Sequence, residues 1–431
     1  MKNIITILMF CFSGLMYAQE RLDSISAVIL DASTGEPIQY ASVYISPSCG
    51  TISNDDGEFC LQCLPSETIR ITCIGYQRVT YQASELPAIV RMQPTSYTLK
   101  EITVTRGDDI IYKLVHKMQR EAKKNRKAEA QYFFRMATQY PGTDELAEAF
   151  MTAKSCVQIR DITFHSGSRG QLRDNMLEGP SLTGLGRTNL HIFLRLSPVL
   201  VNFDVWDFTF VPADIVFLRM KNLYDISCVQ FTEEVGTEIS KIHFTANPSI
   251  ISRPILDGTL YIDHKHSRLL RFDGQMHGLE IVLYDQAREQ NYFTSIDYSM
   301  HVDYRHDHGF TEIANMSGII TKDSMKIRQL LYNLGDKKLK FSKSVRVGEN
   351  MMRAIDQVGF DSTLWVVNNI VKRTQDEERV AFKDKNFWLA NKSKYNTSST
   401  EQEQRTNNYL KDAIRQLMDN SMQLQRMPLI P

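Results

Sequence analysis

Apolar and polar residues alternate in three short runs near the start of the chain, and turn-forming residues separate these runs. The apolar positions at period two are Val43 and Ile45, Phe59 and Leu61, and Ile69 and Ile71. This spacing is typical of half-buried β-strands. Gly35 and Gly57 lie in the intervening turns, where glycine adopts a positive φ at little cost. The pattern predicts a small β-sandwich over residues 19–96.

After the sandwich, the spacing of apolar residues changes from that of a strand to that of a helix. Residues 97–105 still alternate and predict a last strand, and residues 108–128 predict an amphipathic helix. The apolar face of this helix consists of Ile111, Leu114, Val115, Met118 and Ala122. We therefore expect a strand and a connecting helix within residues 97–130.

The predicted helix ends in four cations: Lys123, Lys124, Arg126 and Lys127. Cations at this end of a helix are favoured by the helix dipole. We interpret this basic cluster as a solvated helix end. The alternative is a contact with a membrane surface or a partner.

Residues 131–350 are again rich in alternating runs. In the clearest run, Leu260 and Ile262 face Leu270 and Phe272 across a polar turn, which predicts a β-hairpin over residues 258–274. A series of such runs predicts a large, curved antiparallel sheet or half-barrel. The chain as a whole is therefore expected to be mainly β.

The last part of the chain is predicted to be less regular. We expect a helical extension in residues 351–389, and a polar linker with a C-terminal helix in residues 390–431. The polar linker is too poor in apolar residues to build a core. The helical tail is interpreted either as a docking segment for a partner or as a segment that packs on its own domain.

The first residues have the pattern of a secretion signal. Lys2 supplies a positive charge, residues 4–17 are mostly apolar, and Ala18 precedes a cleavage point before Gln19. We therefore expect residues 1–18 to be a signal peptide. The mature protein is then exported, either to the periplasm or to the outer membrane.

Charge and hydropathy argue against a nucleic-acid partner and against a transmembrane span. The 431 residues include 50 Lys+Arg and 50 Asp+Glu, so the net charge is zero. A nucleic-acid-binding domain has a basic excess, so we expect no nucleic-acid partner. No apolar run reaches the roughly 20 residues that a membrane helix needs, so we expect no transmembrane span in the mature chain.

Five short motifs in the sandwich region occur in a characteristic order. They are residues 34–37 (TGEP), 41–43 (ASV), 50–51 (GT), 56–59 (DGEF) and 74–76 (IGY). Their order and spacing over residues 24–93 resemble the carboxypeptidase-regulatory-like domain. The resemblance implies a transthyretin-like sandwich without catalytic activity, of the kind common in exported proteins of the Bacteroidetes.

A weaker resemblance concerns the sheet region. Residues 258–263 resemble strands of lipoprotein-carrier-like half-barrels. The order of sandwich, basic helix and sheet resembles larger Bacteroidetes proteins that continue into a membrane barrel, and residues 365–370 fit that arrangement. This chain departs from that pattern because too few residues follow residue 380 for a barrel.

Six cysteines follow the predicted signal peptide: Cys49, Cys60, Cys63, Cys73, Cys156 and Cys228. Cys60 and Cys63 have the Cys-x-x-Cys spacing of redox motifs, but they lie in a strand. Residues three apart in a strand are about 10 Å from each other, which is too far for a disulfide. A hairpin that turns at residues 55–57 would place Cys49 opposite Cys63. The sequence therefore predicts a Cys49–Cys63 disulfide.

Histidines and aspartates form two clusters, one of Asp263, His264 and His266 and one of His301, Asp303, His306, Asp307 and His308. Alternate strand positions share a face, so two-point metal binding is geometrically compatible with this pattern. A zinc signature such as His-Glu-x-x-His does not occur. We interpret the clusters as polar residues at solvated turns and predict no metal site.

Catalytic and cofactor motifs are lacking as well. The sequence has no Gly-x-Ser-x-Gly motif and no complete dinucleotide-binding glycine pattern, so we predict no catalytic residues and no cofactor. The leading hypothesis is a non-enzymatic binding or scaffold protein of the cell envelope, with an envelope protein or an apolar ligand as partner. Four aromatic residues are candidate ligand contacts or core residues: Trp206, Phe208, Phe210 and Phe217.

Two alternative functions remain open. One is a hydrolase whose site lies in the β-rich domain and uses the histidine clusters. The other is an accessory to an outer-membrane, TonB-dependent transporter, which is suggested by the proteins in which this kind of sandwich occurs.

Overall fold

The computed structural model describes residues 23–95, 107–140, 143–155, 159–173, 224–234, 237–246, 255–285, 290–322, 325–336, 338–347, 351–361, 364–365 and 371–383. The chain divides after Pro94 into two compact units, a sandwich unit and a sheet unit. Some of the predictions concern residues outside these ranges: the signal peptide, the strand at residues 97–105, Cys156, the four aromatic residues at 206–217, and the C-terminal linker and helix.

The sandwich unit contains seven strands: β1 (Asp23–Asp31), β2 (Ser42–Ser46), β3 (Cys49–Ile52), β4 (Glu58–Cys63), β5 (Thr68–Thr72), β6 (Val79–Gln82) and β7 (Ile89–Met92). One sheet has the order β4-β1-β7 and the other β3-β2-β5-β6. The alternating residues predicted to face inward are buried between them, including Val43, Phe59, Leu61, Ile69 and Ile71. The predicted sandwich is therefore confirmed.

Two of the sequence motifs meet in the turn after β1. Asp31 Oδ1 accepts hydrogen bonds from the backbone amides of Ser33 (2.6 Å) and Thr34 (3.0 Å), and Tyr76 donates its hydroxyl to Asp31 Oδ2 (2.9 Å). These hydrogen bonds lower the pKa of Asp31, and the two from the backbone amides have the largest effect. Gly35 follows with a φ of 76°. The motif residues thus stabilise one turn, although they are distant in sequence.

The sheet unit begins with helix α1 (Gly107–Lys124) and continues into eleven strands. These are β8 (Glu129–Tyr140), β9 (Thr143–Ser155), β10 (Ile159–Arg173), β11 (Tyr224–Glu234), β12 (Thr237–Ala246), β13 (Ile255–Asp263), β14 (Arg268–Asp285), β15 (Gln290–Arg305), β16 (Glu312–Lys322), β17 (Met325–Asn333) and β18 (Val345–Arg346). Helices α2 (Met351–Val358) and α3 (Gln375–Lys383) follow. None of the described helices has the length and apolar character of a membrane span.

The eleven strands form one antiparallel sheet with the order β11-β12-β13-β14-β15-β16-β17-β8-β9-β10-β18. Strand β8 lies between β9 and β17, and Gln139 pairs with Lys326 across the β8–β17 seam. At the β10 edge, β18 pairs with Phe164, and Gly167 donates its backbone amide to the Gly359 carbonyl (2.8 Å). This edge of the sheet is therefore covered.

The sheet curves around α1. Ile110, Ile111, Leu114 and Met118 of the helix share one core with side chains from β8–β10 and β12–β17. The helix also contacts β11, and a short turn connects it to β8. These two strands are seven positions apart, which is about 34 Å in a flat sheet, whereas a helix is about 10–12 Å wide. The apolar face must therefore be concave.

Polar contacts fix α1 at one rim of the sheet. Lys117 donates its ammonium to the His266 carbonyl in the β13–β14 turn (2.7 Å). Glu121 accepts from the amide (2.9 Å) and the hydroxyl (2.8 Å) of Thr311 before β16. The helix is thus held both by its apolar face and by the turns.

The predicted hairpin over residues 258–274 is confirmed, with one change. Leu260 and Ile262 are buried and Leu260 pairs with Phe272, as the alternation predicts. A bulge between Tyr261 and Ile262 then shifts the register. In consequence Leu269 is buried rather than Leu270, since an inserted residue reverses the alternation beyond it.

We expect Gly57→Ala to destabilise the sandwich more than Gly35→Ala. Both glycines have a positive φ, 73° and 76°, so both alanines incur a penalty of about 1 kcal/mol. At Gly57 an added Cβ would lie 2.6 Å from the Ile29 carbonyl oxygen, whereas at Gly35 it meets no atom within 4 Å. We expect a further loss of about 1–3 kcal/mol at Gly57. Hydrogen exchange of the β1 and β4 amides measures both losses, and equal values would contradict the tight packing.

Candidate functional site

Methionine side chains line much of the concave face of the sheet. Seven buried methionines belong to its core: Met118, Met136, Met151, Met276, Met300, Met316 and Met325. Methionine is unbranched and polarisable, so it adapts to differently shaped apolar surfaces. The methionine positions are therefore able to adapt to a guest more easily than the isoleucine and valine positions between them.

Two polar side chains are buried in this apolar face. Tyr298 is 1% exposed and Gln329 is 2% exposed. Within the described residues, neither the Tyr298 hydroxyl nor Gln329 Oε1 has a hydrogen-bond partner. Gln329 Nε2 is 4.0 Å from the sulfur of Met136. Burial raises the pKa of Tyr298 well above its usual value, so the hydroxyl keeps its proton.

Gly318 brings these two side chains together. It pairs with Gln329 on one side and with Met300 on the other, and directly paired residues face the same side of a sheet. The ring of Tyr298 covers the position above Gly318, where an added Cβ would overlap the hydroxyl. Paired Cβ positions are about 5 Å apart. The Tyr298 hydroxyl therefore lies over Gly318, on the strand next to Gln329, in apolar surroundings.

On the convex face, His301 lies between two carboxylates. Its Nδ1 is 2.5 Å from Asp273 Oδ1, and its Nε2 is 3.1 Å from Asp303 Oδ2. Arg271 donates to the other oxygen of Asp303 (2.7 Å), and Asn315 donates to Oδ2 (3.1 Å). The structure thus brings His301 and Asp303 together as the alternation predicted, and adds partners from β14 and β16.

This arrangement favours a charged imidazolium. Ionised carboxylates only accept hydrogen bonds, so both ring nitrogens of His301 must carry a proton. Burial opposes ionisation, but the charge of Asp303 and the hydrogen bonds to Asp273 and Asp303 outweigh it and raise the pKa of His301. Burial likewise opposes the ionisation of Asp303, but Arg271 and His301 lower its pKa. Such a ring has no lone pair with which to activate a nucleophile.

The other predicted histidines lie at the rim and at separate turns. His266 bonds Asp263 (2.7 Å), His264 bonds Ser240 (3.1 Å), His306 donates to the Leu269 carbonyl (2.7 Å), and His308 bonds Glu312 (3.2 Å) and Asp336 (3.1 Å). The second cluster is thus divided between the convex face and a turn. In the described ranges, no group of three such side chains is arranged so that it could hold a metal ion.

A buried ion cluster lies on the convex face of β8 and β9. Arg135 is 2% exposed and donates Nε to Glu148 Oε1 (2.7 Å). Arg373, from the segment before α3, donates Nε to Glu148 Oε1 (3.0 Å) and Nη2 to Oε2 (2.5 Å). Burial opposes the ionisation of Glu148, but the two guanidinium groups lower its pKa to about 2.

The same cluster attaches the start of α3 to the sheet. Arg135 donates to the Val371 carbonyl (2.7 Å) and to Glu377 Oε2 (3.2 Å). Glu377 also accepts from the Thr374 amide (2.9 Å), and Thr374 accepts from the Glu377 amide (3.4 Å). This reciprocal pair is a capping box, which satisfies amides at the helix start. The cluster is therefore a structural clamp, because its charged groups bond to one another and to the backbone.

The hairpin prediction that supported the Cys49–Cys63 disulfide is wrong. Strand β3 pairs with β2 and β4 pairs with β1, so the turn at residues 54–57 connects two different sheets. Asn54 Oδ1 fixes this turn by accepting from the amides of Asp56 (3.0 Å) and Glu58 (2.9 Å). The disulfide itself stays a prediction. Burial, and then the charge of Glu67, raises the pKa of the Cys63 thiol to about 11.

The site residues that the sequence patterns did not predict are Tyr298, Gln329, Arg135 and Glu148. For Gln329 the sequence did contain a signal. It lies between Ile327 and Leu331 at period two, so it is a polar residue at a position where the alternation predicts an inward-facing apolar one. Arg135 lies between Phe134 and Met136, which face the concave core, so the alternation predicts that its side chain is exposed on the other face. Its burial depends on a segment more than two hundred residues later.

We predict that Glu148→Gln destabilises the sheet unit by about 3–5 kcal/mol at neutral pH, because two guanidinium groups lose their shared charge partner. The folded pKa of Glu148 lies below the unfolded value, so this stabilisation exists above about pH 4.3 and is lost as the pH falls towards 2. Urea unfolding at several pH values should therefore show the difference between the two proteins shrinking in acid.

Asp161→Asn is the matched control for Glu148→Gln. Asp161 also bridges two cations, Lys154 and Arg346, but its side chain is 43% exposed. We expect a much smaller loss than for Glu148→Gln, because water already screens this exposed ion pair. Similar losses for both variants would contradict the clamp.

We predict that His301 keeps protons on both ring nitrogens to a higher pH than a free imidazole, because each nitrogen lies against a carboxylate. Its folded pKa is raised, so its contribution to stability is complete below the unfolded pKa of about 6.5 and is lost as the pH rises through the folded value. Nitrogen NMR of the imidazole follows this titration. His301→Gln should cost more stability in weak acid than in weak base, and an unprotonated ring nitrogen below neutral pH would contradict the arrangement.

Comparison with known proteins identifies the first unit. Among solved structures, the chain is similar to a LolA superfamily protein from Nitrosomonas europaea, with 10% identity over 53% of this chain and 98% of that one and a TM-score of 0.20. It is also similar to a DUF1329 family protein from Desulfovibrio piger, with 10% identity, 55% and 96% coverage and a TM-score of 0.21. No curated protein matches the chain. Residues 25–104 match the model of the CarboxypepD_reg-like domain, so the first unit is a carboxypeptidase-regulatory-like domain, as its motifs predicted.

Proposed function

We propose that this protein is an exported, non-enzymatic binding protein whose sheet unit holds an uncharged amphiphile on its concave face. The observation that carries the proposal is the pair of buried polar groups at Tyr298 and Gln329, which lack partners in the described part of the chain. A buried polar group without a hydrogen bond costs about 1–3 kcal/mol. A ligand that bonds both groups removes this cost.

The chemistry of the two groups limits the ligand. The Tyr298 hydroxyl donates and accepts, and Gln329 Oε1 accepts, so an end group with a hydroxyl, which can donate to Oε1 and accept from the tyrosine, satisfies the pair. The methionine lining suits an apolar tail of variable shape. The ligand class is therefore a neutral molecule with an apolar tail.

The convex face supports a non-enzymatic role. The hydrolase hypothesis needs a histidine nitrogen that accepts a proton, but in the His301 cluster both nitrogens face carboxylates. The carboxypeptidase-regulatory-like domain, which the family resemblance implies to be non-catalytic, is consistent with a module that recruits or positions. Export to the periplasm or the outer membrane remains part of this proposal, supported by the signal-like first residues. No described contact favours the transporter accessory.

The test is Tyr298→Phe, measured for stability and for ligand binding. Without ligand, removing a hydroxyl that has no partner should leave the free energy of unfolding unchanged or raise it by about 1 kcal/mol. The affinity for a long-chain alcohol should fall by about three- to tenfold. This affinity is measured from the displacement of the neutral dye Nile red by the alcohol. The two effects thus have opposite signs.

Tyr132→Phe is the matched control. Tyr132 lies on the same concave face and is equally buried, but its hydroxyl donates to the Ile313 carbonyl (3.4 Å). This variant should lose about 1 kcal/mol of stability and keep its affinity for the alcohol. The proposal is wrong if Tyr298→Phe behaves like Tyr132→Phe, because the Tyr298 hydroxyl then has only a structural partner.

A further inference from the structure

We propose that the rim of the sheet unit at the end of α1 docks on an anionic phospholipid bilayer. The inference concerns a different surface from the concave face, and it does not depend on the ligand proposed above. It rests on two basic segments that are distant in sequence and adjacent in the structure.

The first basic segment is the end of α1 and the turn that follows it. Lys123, Lys124, Arg126 and Lys127 are all exposed. The basic side extends back along the helix through the exposed residues Lys113 and Arg120. The opposite side of α1 is buried in the sheet, so the cations are the part of this helix that faces solvent.

The second basic segment, residues 338–347, crosses the convex face next to the first. Leu339 donates its amide to Gln131 Oε1 (2.7 Å), and its carbonyl accepts from Gln131 Nε2 (3.0 Å). Gln131 lies at the start of β8, four residues after Lys127. This double hydrogen bond places Lys338 and Lys340 beside the end of α1.

Three further contacts hold the second segment in place. Phe341 stacks on His165 with the ring centroids 3.9 Å apart, and His165 Nδ1 donates to the Lys343 carbonyl (2.9 Å). Val347 donates its amide to the Ile162 carbonyl (2.9 Å). The segment is therefore fixed against β8 and β10, and its exposed lysines are presented by an ordered backbone.

The combined surface has a strong excess of positive charge. Its seven exposed cations are Lys123, Lys124, Arg126, Lys127, Lys338, Lys340 and Lys343. Among the described residues, no carboxylate forms an ion pair with any of the first six. Glu129 is an exposed acid between the two segments, and it lies opposite Lys154. Because the whole chain has zero net charge, this local excess gives the protein a preferred orientation towards an anionic surface.

The dimensions and composition of this surface favour a bilayer. Residues 338–343 span about 17 Å in an extended conformation, and they begin at the rim of the sheet where residues 123–127 end α1 and lead into β8. A small anion would engage only a few of these cations, whereas a layer of lipid headgroups engages them all. Protein interfaces are depleted of lysine and contain apolar anchors, and this surface is rich in lysine without such anchors. Docking is electrostatic, because the apolar side of α1 is already buried.

The test uses the full-length mature chain and vesicles of phosphatidylcholine, with or without phosphatidylglycerol. We expect co-sedimentation with the anionic vesicles at low salt, release at high salt, and none with phosphatidylcholine alone. Lys123→Gln/Lys124→Gln and Lys338→Gln/Lys340→Gln should each weaken binding by about fivefold for every cation removed. Both pairs should act, because the two segments form one surface.

Lys326→Gln/Arg379→Gln is the matched control. It removes the same charge from the start of β17 and from α3, where Arg379 contacts Asp144 at the start of β9, and should leave vesicle binding unchanged. Tyr298→Phe should also bind vesicles normally, which separates this inference from the ligand proposal. Thermal unfolding confirms that each variant is folded. The inference is overturned by binding to neutral vesicles, by an equal loss in the control, by an inert Lys338/Lys340 pair, or by equal binding to duplex DNA.

Discussion

The packing of α1 into the concave side of the sheet is the contact on which the sheet unit depends. A sheet with one apolar face must cover that face, and eleven strands present more area than a single flat layer of helices could easily cover. Curvature solves the problem, since strands from both halves of the sheet reach the same helix. The turns at His266 and Thr311 then fix the helix at the rim.

The strict alternation of a β-strand gives the two faces of this sheet different properties. Strand β8 places Phe134 and Met136 in the concave core, while Phe133 and Arg135 lie on the convex side. The convex side is also partly buried, because the segment around α3 covers it through the Arg135 cluster. Burying charges in this way brings little net stability but imposes one geometry, since a misplaced partner leaves an uncompensated charge.

Local features of the fold could be predicted from the sequence, and long-range ones could not. The turn glycines, the alternation in the sandwich and the apolar side of α1 depend on neighbouring residues, so one sequence shows them. The bulge that buries Leu269 inserts one residue into an otherwise regular run, which no periodicity reveals. Arg135 has the pattern of an exposed strand residue, and its burial depends on a segment that meets β8 only in the folded chain.

The seam between β8 and β17 has a consequence for how the protein acquires its structure. These strands are almost two hundred residues apart, yet they are neighbours in the middle of the sheet. Residues 23–94 hold all the strands of the sandwich, so this unit can complete itself as soon as its own chain is present. The sheet unit cannot pair β8 with β17 until the chain has been synthesised as far as Asn333. Such distant pairing makes folding slow, and until it occurs β8 has an open edge on which other chains can add.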